Sequence, residues 1–431
     1  MPNLKREPVF NRFFIRKDDN MKNVDLKPQH LKTDEDIEHY LELVREIWRD
    51  EPGVEKLART LIENHPKMTL KNFYVIKDKG RMVSTLNLIP VKWSIGGITL
   101  KVAEMGIVGT LHEYRHKGLI RRLVDEFHND IENESYDLAV IEGIPYFYRQ
   151  FGYEYAIPLL EETRIRLNQI PERKSEIRIR PFAEKDLAKA RVLLERSQKR
   201  YHVHSMRDET VWKMQQKTSI ASDPEPFQSF VIEEHAKMIA YFRMRKILSE
   251  KELLLTEITE VDQFAAEAVL NFLKDYGNHY NLETLIANIS YEEPFAEYLV
   301  SLGGLRRVPT YAWQIRITDY VKIFRKLARL FERRLANSMY NRLTEVLKFN
   351  FRAFTIQVAI TGGRITHIQK IDMAENSPIG LNPLTFVQLM TGYKNRQELE
   401  ETVPDMKIAV SHRHLIDILF PKMSSYIHSA Y

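Results

Sequence analysis

Sixteen glycines serve 431 residues, about half the usual ~7%, so where they fall is informative. Five of them (Gly106, Gly109, Gly118, Gly143 and Gly152) lie between residues 106 and 152, where even scatter would put fewer than two. From 153 to 302 there is only Gly277. Glycine is needed where a backbone must turn left-handed or approach a ligand closely. A ligand site built from backbone amides therefore belongs to the first third of the chain, and the middle is poorly equipped for one.

The pattern around these glycines fixes the local elements. Residues 72–110 hold short runs of Val, Ile and aromatics broken at Asp78–Gly80 and at Gly96–Gly97, which are hairpin signals. Before them, Ile37, Leu41, Val44, Ile47 and Trp48 recur at helical spacing behind Thr33 and Asp34, which predicts a capped amphipathic helix. After them, Ile120, Leu123, Val124, Phe127 and Ile131 predict a second helix, followed by an apolar strand at 138–143. The order helix, meander, helix, strand is that of an α+β unit.

Within it, MGIVGTLHEYRHKGLIRR reads as a strand ending near Gly109, a loop, and a helix opening at Gly118. Free amides at that helix N-terminus would bind a pyrophosphate, with Arg115, His116, Lys117, Arg121 and Arg122 as further donors. The R-x-x-G of Arg115 to Gly118, followed by an amphipathic helix, resembles the acetyl-CoA loop of GNAT N-acetyltransferases, with Leu119-Ile120 where many of them keep a second small residue. The strand and aromatic turn IEGIPYFYRQFGYEYAI, about 30 residues later, resembles the second half of the same fold. A tyrosine directly before R-x-F-G-Y is similar to the enhanced intracellular survival type of this family.

The resemblance implies two GNAT-like mixed-sheet domains followed by a sterol-carrier-like α/β domain: an N-terminal arm at 1–20, a catalytic domain at 21–172, a degenerate copy at 173–312 and the third domain at 313–431. It implies acetyl-CoA as donor, held by Val108, Gly109, Thr110, Arg115, His116, Lys117, Gly118, Leu119, Ile120, Arg121, Gly143 and Ile144. Tyr148 would be the general acid for the departing thiolate, and the carboxylate of Tyr431 the base for the amine. The acceptor would be an amine-bearing small molecule or a lysine side chain, and the protein a homo-oligomer. In the second unit, the loop EITEVDQFAAEAVLNFL has no glycine and carries Glu257, Glu260, Asp262 and Glu267 where phosphates would sit, so like charges oppose a cofactor.

Composition narrows the alternatives. A net charge of +5 is too slight for a polyanion-binding chain, and the basic helix Lys322 to Arg334 reads as an amphipathic helix with a solvated charged face. The lack of cysteine removes thiol nucleophiles and Cys-ligated metals and fits a cytoplasmic protein. The pairs His202/His204 and His412/His414 would face one side of a strand but lack a third ligand nearby, so no metal is expected. No run reaches the ~18 apolar residues of a membrane span. Residues 1–20 read as a loose arm, and Met21 is a second candidate start. Acidic Asp50 and Glu51 could attract a cationic acceptor. The competing reading is a non-catalytic protein whose sterol-carrier-like domain holds an apolar ligand or lipid.

Overall fold

The computed structural model describes residues 26–159, 161–173, 175–218, 227–307 and 311–429. The arm at 1–20, Met21 and Tyr431 lie outside them.

The chain starts with β1 (Pro28–His30), α1 (Asp34–Ile47), α2 (Gly53–Asn64), β2 (Phe73–Asp78), β3 (Arg81–Ile95), β4 (Ile98–Thr110), α3 (Leu119–Asn133), β5 (Leu138–Ile141) and β6 (Glu154–Leu159). The expected cap of α1 is present: the Thr33 hydroxyl accepts from the Asp36 N–H at 3.1 Å, and the Asp36 carboxylate returns to the Thr33 N–H. Both expected hairpins form, and Gly96 and Gly97 turn with φ of +54° and +85°. β4 and β5 run parallel but pair only from Val102↔Leu138 to Glu104↔Val140. Just beyond, a register shift and a left-handed Ile107 (φ +44°) bend β4.

The second stretch comprises β7 (Glu162–Arg166), β8 (Arg178–Pro181), α4 (Leu187–Gln198), β9 (Val203–Met206), α5 (Glu209–Thr218), β10 (Gln228–Glu234), β11 (Lys237–Ile247), β12 (Glu252–Ile258), α6 (Gln263–His279), β13 (Thr284–Ala287), α7 (Pro294–Ser301) and β14 (Leu305–Arg307). Its sheet runs β14-β7-β13-β12-β11-β10-β8. The parallel pair β12 and β13, joined through α6, repeats the arrangement of β4, α3 and β5. The third stretch comprises β15 (Tyr311–Ile317), α8 (Tyr320–Ala336), β16 (Glu345–Asn350), β17 (Thr355–Thr361), β18 (Arg364–Ile371), β19 (Ile379–Gly380), α9 (Pro383–Met390), α10 (Arg396–Thr402), β20 (Lys407–Ile408) and α11 (Val410–Leu419). Its sheet, β18-β17-β16-β19-β20, includes the hairpin expected at Gly362-Gly363.

Strands cross between the units. The first sheet runs β1-β2-β3-β4-β5-β15-β6, so β15, the strand expected to open a separate third domain, lies between two strands of the first. Its register runs from Gln314↔Ile141 to Ile317↔Leu138 on one side and from Tyr311↔Leu159 to Ile315↔Glu154 on the other. The segment YAWQIRI is buried on both faces, which suits a central strand. In exchange, β7 enters the second sheet, and β9 pairs with the far half of β3.

Only part of the basic side of α8 is the solvated face expected from sequence: Arg325, Arg329 and Arg333 are exposed, whereas the two lysines turn to a buried acid. Lys322 and Lys326 approach the fully buried carboxylate of Asp137 at 2.8 and 2.6 Å, and the Lys101 N–H donates to the same group at 2.7 Å. α8 is thus fastened to the start of β5 by charge, while its apolar side buries Phe324, Leu327 and Phe331. A buried carboxylate between two ammonium groups is costly to break from one side. We predict that Asp137→Ala lowers stability by about 3 kcal/mol, read as a shift in the urea midpoint. Asp137→Asn, which keeps an acceptor for Lys101, should lose less. An unmoved transition would show that the docking of α8 does not depend on this charge.

Candidate active site

The loop after β4 brings the basic residues to one helix end. Gly118 caps α3 with φ +70°, a conformation that favours glycine, and a Cβ there would meet no atom within 4 Å. No side chain caps this N-terminus, so its amides face open space beside the exposed Arg115, His116, Lys117 and Arg121. Arg121 also donates to Gln150 at 2.6 Å and lies over the Phe151 ring, tying the helix to the aromatic turn. Arg122 donates to the Leu26 carbonyl. An open helix end among basic side chains can take a phosphate group.

The other residues expected around the donor have varied surroundings. Leu119 is buried in the core, Ile120 is half-buried, and Ile144 is exposed on a separate loop. Val108 is half-buried on β4, and the Thr110 hydroxyl is bonded to Ser84 at 2.7 Å. At Gly109 a Cβ would lie 2.5 Å from the Trp48 ring, so packing of α1 against β4 itself requires glycine there.

Tyr148 sits in the short turn Phe147–Phe151 between β5 and β6, nearly fully buried, with its ring against Phe147 and Tyr153. A Cβ on Gly143 would overlap the Tyr148 ring edge, so this glycine lets the phenol lie flat on the end of β5. Burial, with a smaller push from Tyr311, holds the phenol above its ordinary range and keeps it protonated. From β15, the buried Gln314 amide donates to the Gly143 carbonyl at 2.7 Å. The expectation had missed Gln314, yet one amide inside the apolar run of β15 is a readable signal, because a buried amide needs a partner.

A cavity of about 550 Å³ opens where β4 and β5 part. Glu104, Glu142, Trp93 and Trp313 form one wall, and the second unit supplies the other with Arg164, Arg245, Glu250 and Glu252. The two tryptophans meet edge to face at 5.4 Å. Glu142 is accessible from within the cavity yet enclosed by protein, and this desolvation raises its carboxyl to about 7. Arg164 is already engaged by Glu162 and Glu252, so carboxylates dominate the chamber. Asp50 and Glu51 are exposed and are not among its lining residues.

The chain's last described residues also line this cavity. Tyr426 N–H donates to the Val203 carbonyl at 3.0 Å, Ser205 Oγ to the His428 carbonyl at 2.7 Å and Gln215 Nε2 to the Ser429 carbonyl at 3.0 Å. The second unit thus holds residues 424–429 along β9 and α5 and into the cavity. Its own counterpart of the cradle is closed: Asp262 caps α6, accepting from the Ala265 N–H at 2.8 Å. His412 and His414 lie on α11, where residues two apart diverge, and bond to Glu345 and Tyr340 respectively. That corrects the strand expected for this pair.

The tight seat of Tyr148 makes a direct prediction. Gly143→Ala should displace the phenol and lower turnover at least ~10-fold, with a smaller effect on donor binding. Unchanged steady-state kinetics would mean that the ring's position is immaterial.

Residues 29–156 match the family model of the acetyltransferase (GNAT) domain. No curated protein matches the chain by sequence. Among solved structures, the chain is similar to a probable N-acyltransferase of Enterococcus faecalis V583 (TM-score 0.73, 15% identity, covering 94% of this chain and 99% of that one). It is also similar to a GCN5-related N-acetyltransferase of Anabaena variabilis ATCC 29413 (0.71, 16%, 93% and 99%) and to Eis1 of Mycobacterium abscessus (0.65, 14%, 94% and 100%). At these identities the likeness is one of fold, and it extends over all three units. The open helix end, the bent β4 and the family match agree: residues 29–156 are a GNAT acetyltransferase domain, and the chain is an acyltransferase built on that fold.

Proposed function

We propose that the chain transfers an acetyl group from acetyl-CoA to a primary amine by direct attack. The amine nitrogen bonds to the acetyl carbon, the carbon–sulfur bond breaks, Tyr148 protonates the departing sulfur, and the Tyr431 carboxylate takes the amine's proton. In this reading residues 21–172 carry catalysis, 173–312 are a degenerate copy, and 313–431 resemble a sterol-carrier protein. The observation that carries it is the cavity shared by Glu104, Glu142 and residues 426–429, because it joins the gap between β4 and β5 to the path of the tail.

The electrostatics are consistent with those roles. An amine of pKa ~10.4 needs a base before it can attack a thioester. Carboxylates around the chamber favour an acceptor with further positive charge, such as an aminoglycoside, a polyamine or a lysine-bearing peptide. Burial keeps the proton on Tyr148, and it destabilises a departing thiolate as well, which favours protonation of the sulfur. The non-catalytic alternative finds no support in the third unit's interior, where Phe324, Phe331, Phe349, Phe386 and Phe420 pack on one another.

Tyr148→Phe should lower turnover ~100-fold while acetyl-CoA affinity changes little. Unchanged turnover with a good amine would assign Tyr148 to packing alone. A short polar extension after Tyr431 keeps every side chain but moves the carboxylate, and it should cut the rate nearly as much as deleting residues 428–431. Full activity with the extension would make Glu142 the base.

A further inference from the structure

A second cavity, of about 600 Å³, lies where the three units meet, and it shares no lining residue with the acceptor chamber. Its charged and titratable lining consists of Lys199, His202, His204, Arg333, Arg334 and Asp417. Asp417 is already held by Arg396 through both oxygens at 3.0 Å. Arg333 donates to the Gly96 carbonyl at 2.7 Å, and Arg334 donates to the Leu419 carbonyl and touches the Met423 sulfur. Among the described residues, no carboxylate pairs with Arg333, Arg334 or Lys199.

The imbalance is large enough to count. The C-termini of α8 and α11 each supply about half a negative charge, which leaves roughly two positive charges unanswered. Burial, with Arg333 close by, brings Arg334 down to about 10, as expected for a cation that has lost water without gaining an anion. The ring of His202, a residue only 2% exposed, makes one hydrogen bond: its Nε2 donates to the Met390 carbonyl at 3.2 Å, and its Nδ1 has no partner. Both arginines donate to backbone carbonyls, and neither meets a carboxylate. Tyr201, Leu330 and Met423 add an apolar wall to the same space.

We propose that this junction is a binding site for a small organic phosphate. The phosphate oxygens accept from Arg333, Arg334 and Lys199, and the organic part lies on Tyr201, Leu330 and Met423. The volume suits a ligand larger than phosphate itself. Such a ligand would join the β3–β4 turn, the segment leading into β9, α8 and the root of the tail, one group from each part of the chain that builds the acceptor chamber.

The test uses the full chain saturated with acetyl-CoA, so that the amides of α3 are filled. Inorganic phosphate and phenyl phosphate are titrated at constant ionic strength, with the melting temperature as readout. Both should stabilise saturably, and phenyl phosphate should bind more tightly. Lys199→Gln, at an exposed position that folding tolerates, should weaken binding about 3- to 5-fold. Arg334→Met should weaken it ~30-fold or more. Stabilisation that never saturates, or that is equal in wild type and Lys199→Gln, would overturn the assignment.

Discussion

The first sheet depends on a strand that arrives after the whole second unit has been threaded. β15 pairs with β5 on one side and β6 on the other, so without it these strands would face each other across an unfilled space. The same strand supplies Gln314 to the carbonyl of Gly143, Trp313 to the acceptor chamber and Tyr311 to the surroundings of Tyr148. Contacts this distant in sequence close slowly, because a long loop must be ordered before any pairing rewards it. The first sheet is therefore incomplete until β15 has been placed between β5 and β6.

Much of the site was legible because local chemistry dictated it. The cluster of glycines marked the bent strand, the open helix end and the seat of Tyr148, although the reason differs at each position. Gly118 answers a torsion requirement, Gly109 yields to Trp48, and Gly143 yields to Tyr148. The cap at Thr33 and the Gly362-Gly363 turn followed from rules that span four residues. Of the acids read as opposing a phosphate before α6, Asp262 caps that helix, whereas Glu257 is buried on β12 against Arg207 and Glu267 lies within α6.

What the sequence hid was non-local. An apolar strand such as YAWQIRI announces burial but does not say which sheet it joins. The lysines of α8 matched a solvated face because their partner, Asp137, lies some 190 residues earlier. The second unit was read as a degenerate copy, with no sign in its sequence that Gln215 and Ser205 hold the tail. The interaction of Gln215 rests on a buried network in which Arg207 meets Glu257 at 2.6 Å and Gln215 at 2.7 Å. No spacing rule connects those residues.

The acceptor chamber has walls of different kinds. Glu104 lies on β4, and Glu142 and Gly143 follow the end of β5, where spacing is constrained by the acyl-transfer chemistry proposed for them. Arg245, Glu252, Leu254 and Thr256 belong to a sheet to which no reacting group is assigned, and Glu250 to the turn between two of its strands. Substitutions in that second wall can change the charge and depth felt by an acceptor while leaving the donor cradle and Tyr148 undisturbed. In the proposed reading, selection can therefore retune which amine is taken without passing through an inactive intermediate, because the wall that varies holds no reacting group.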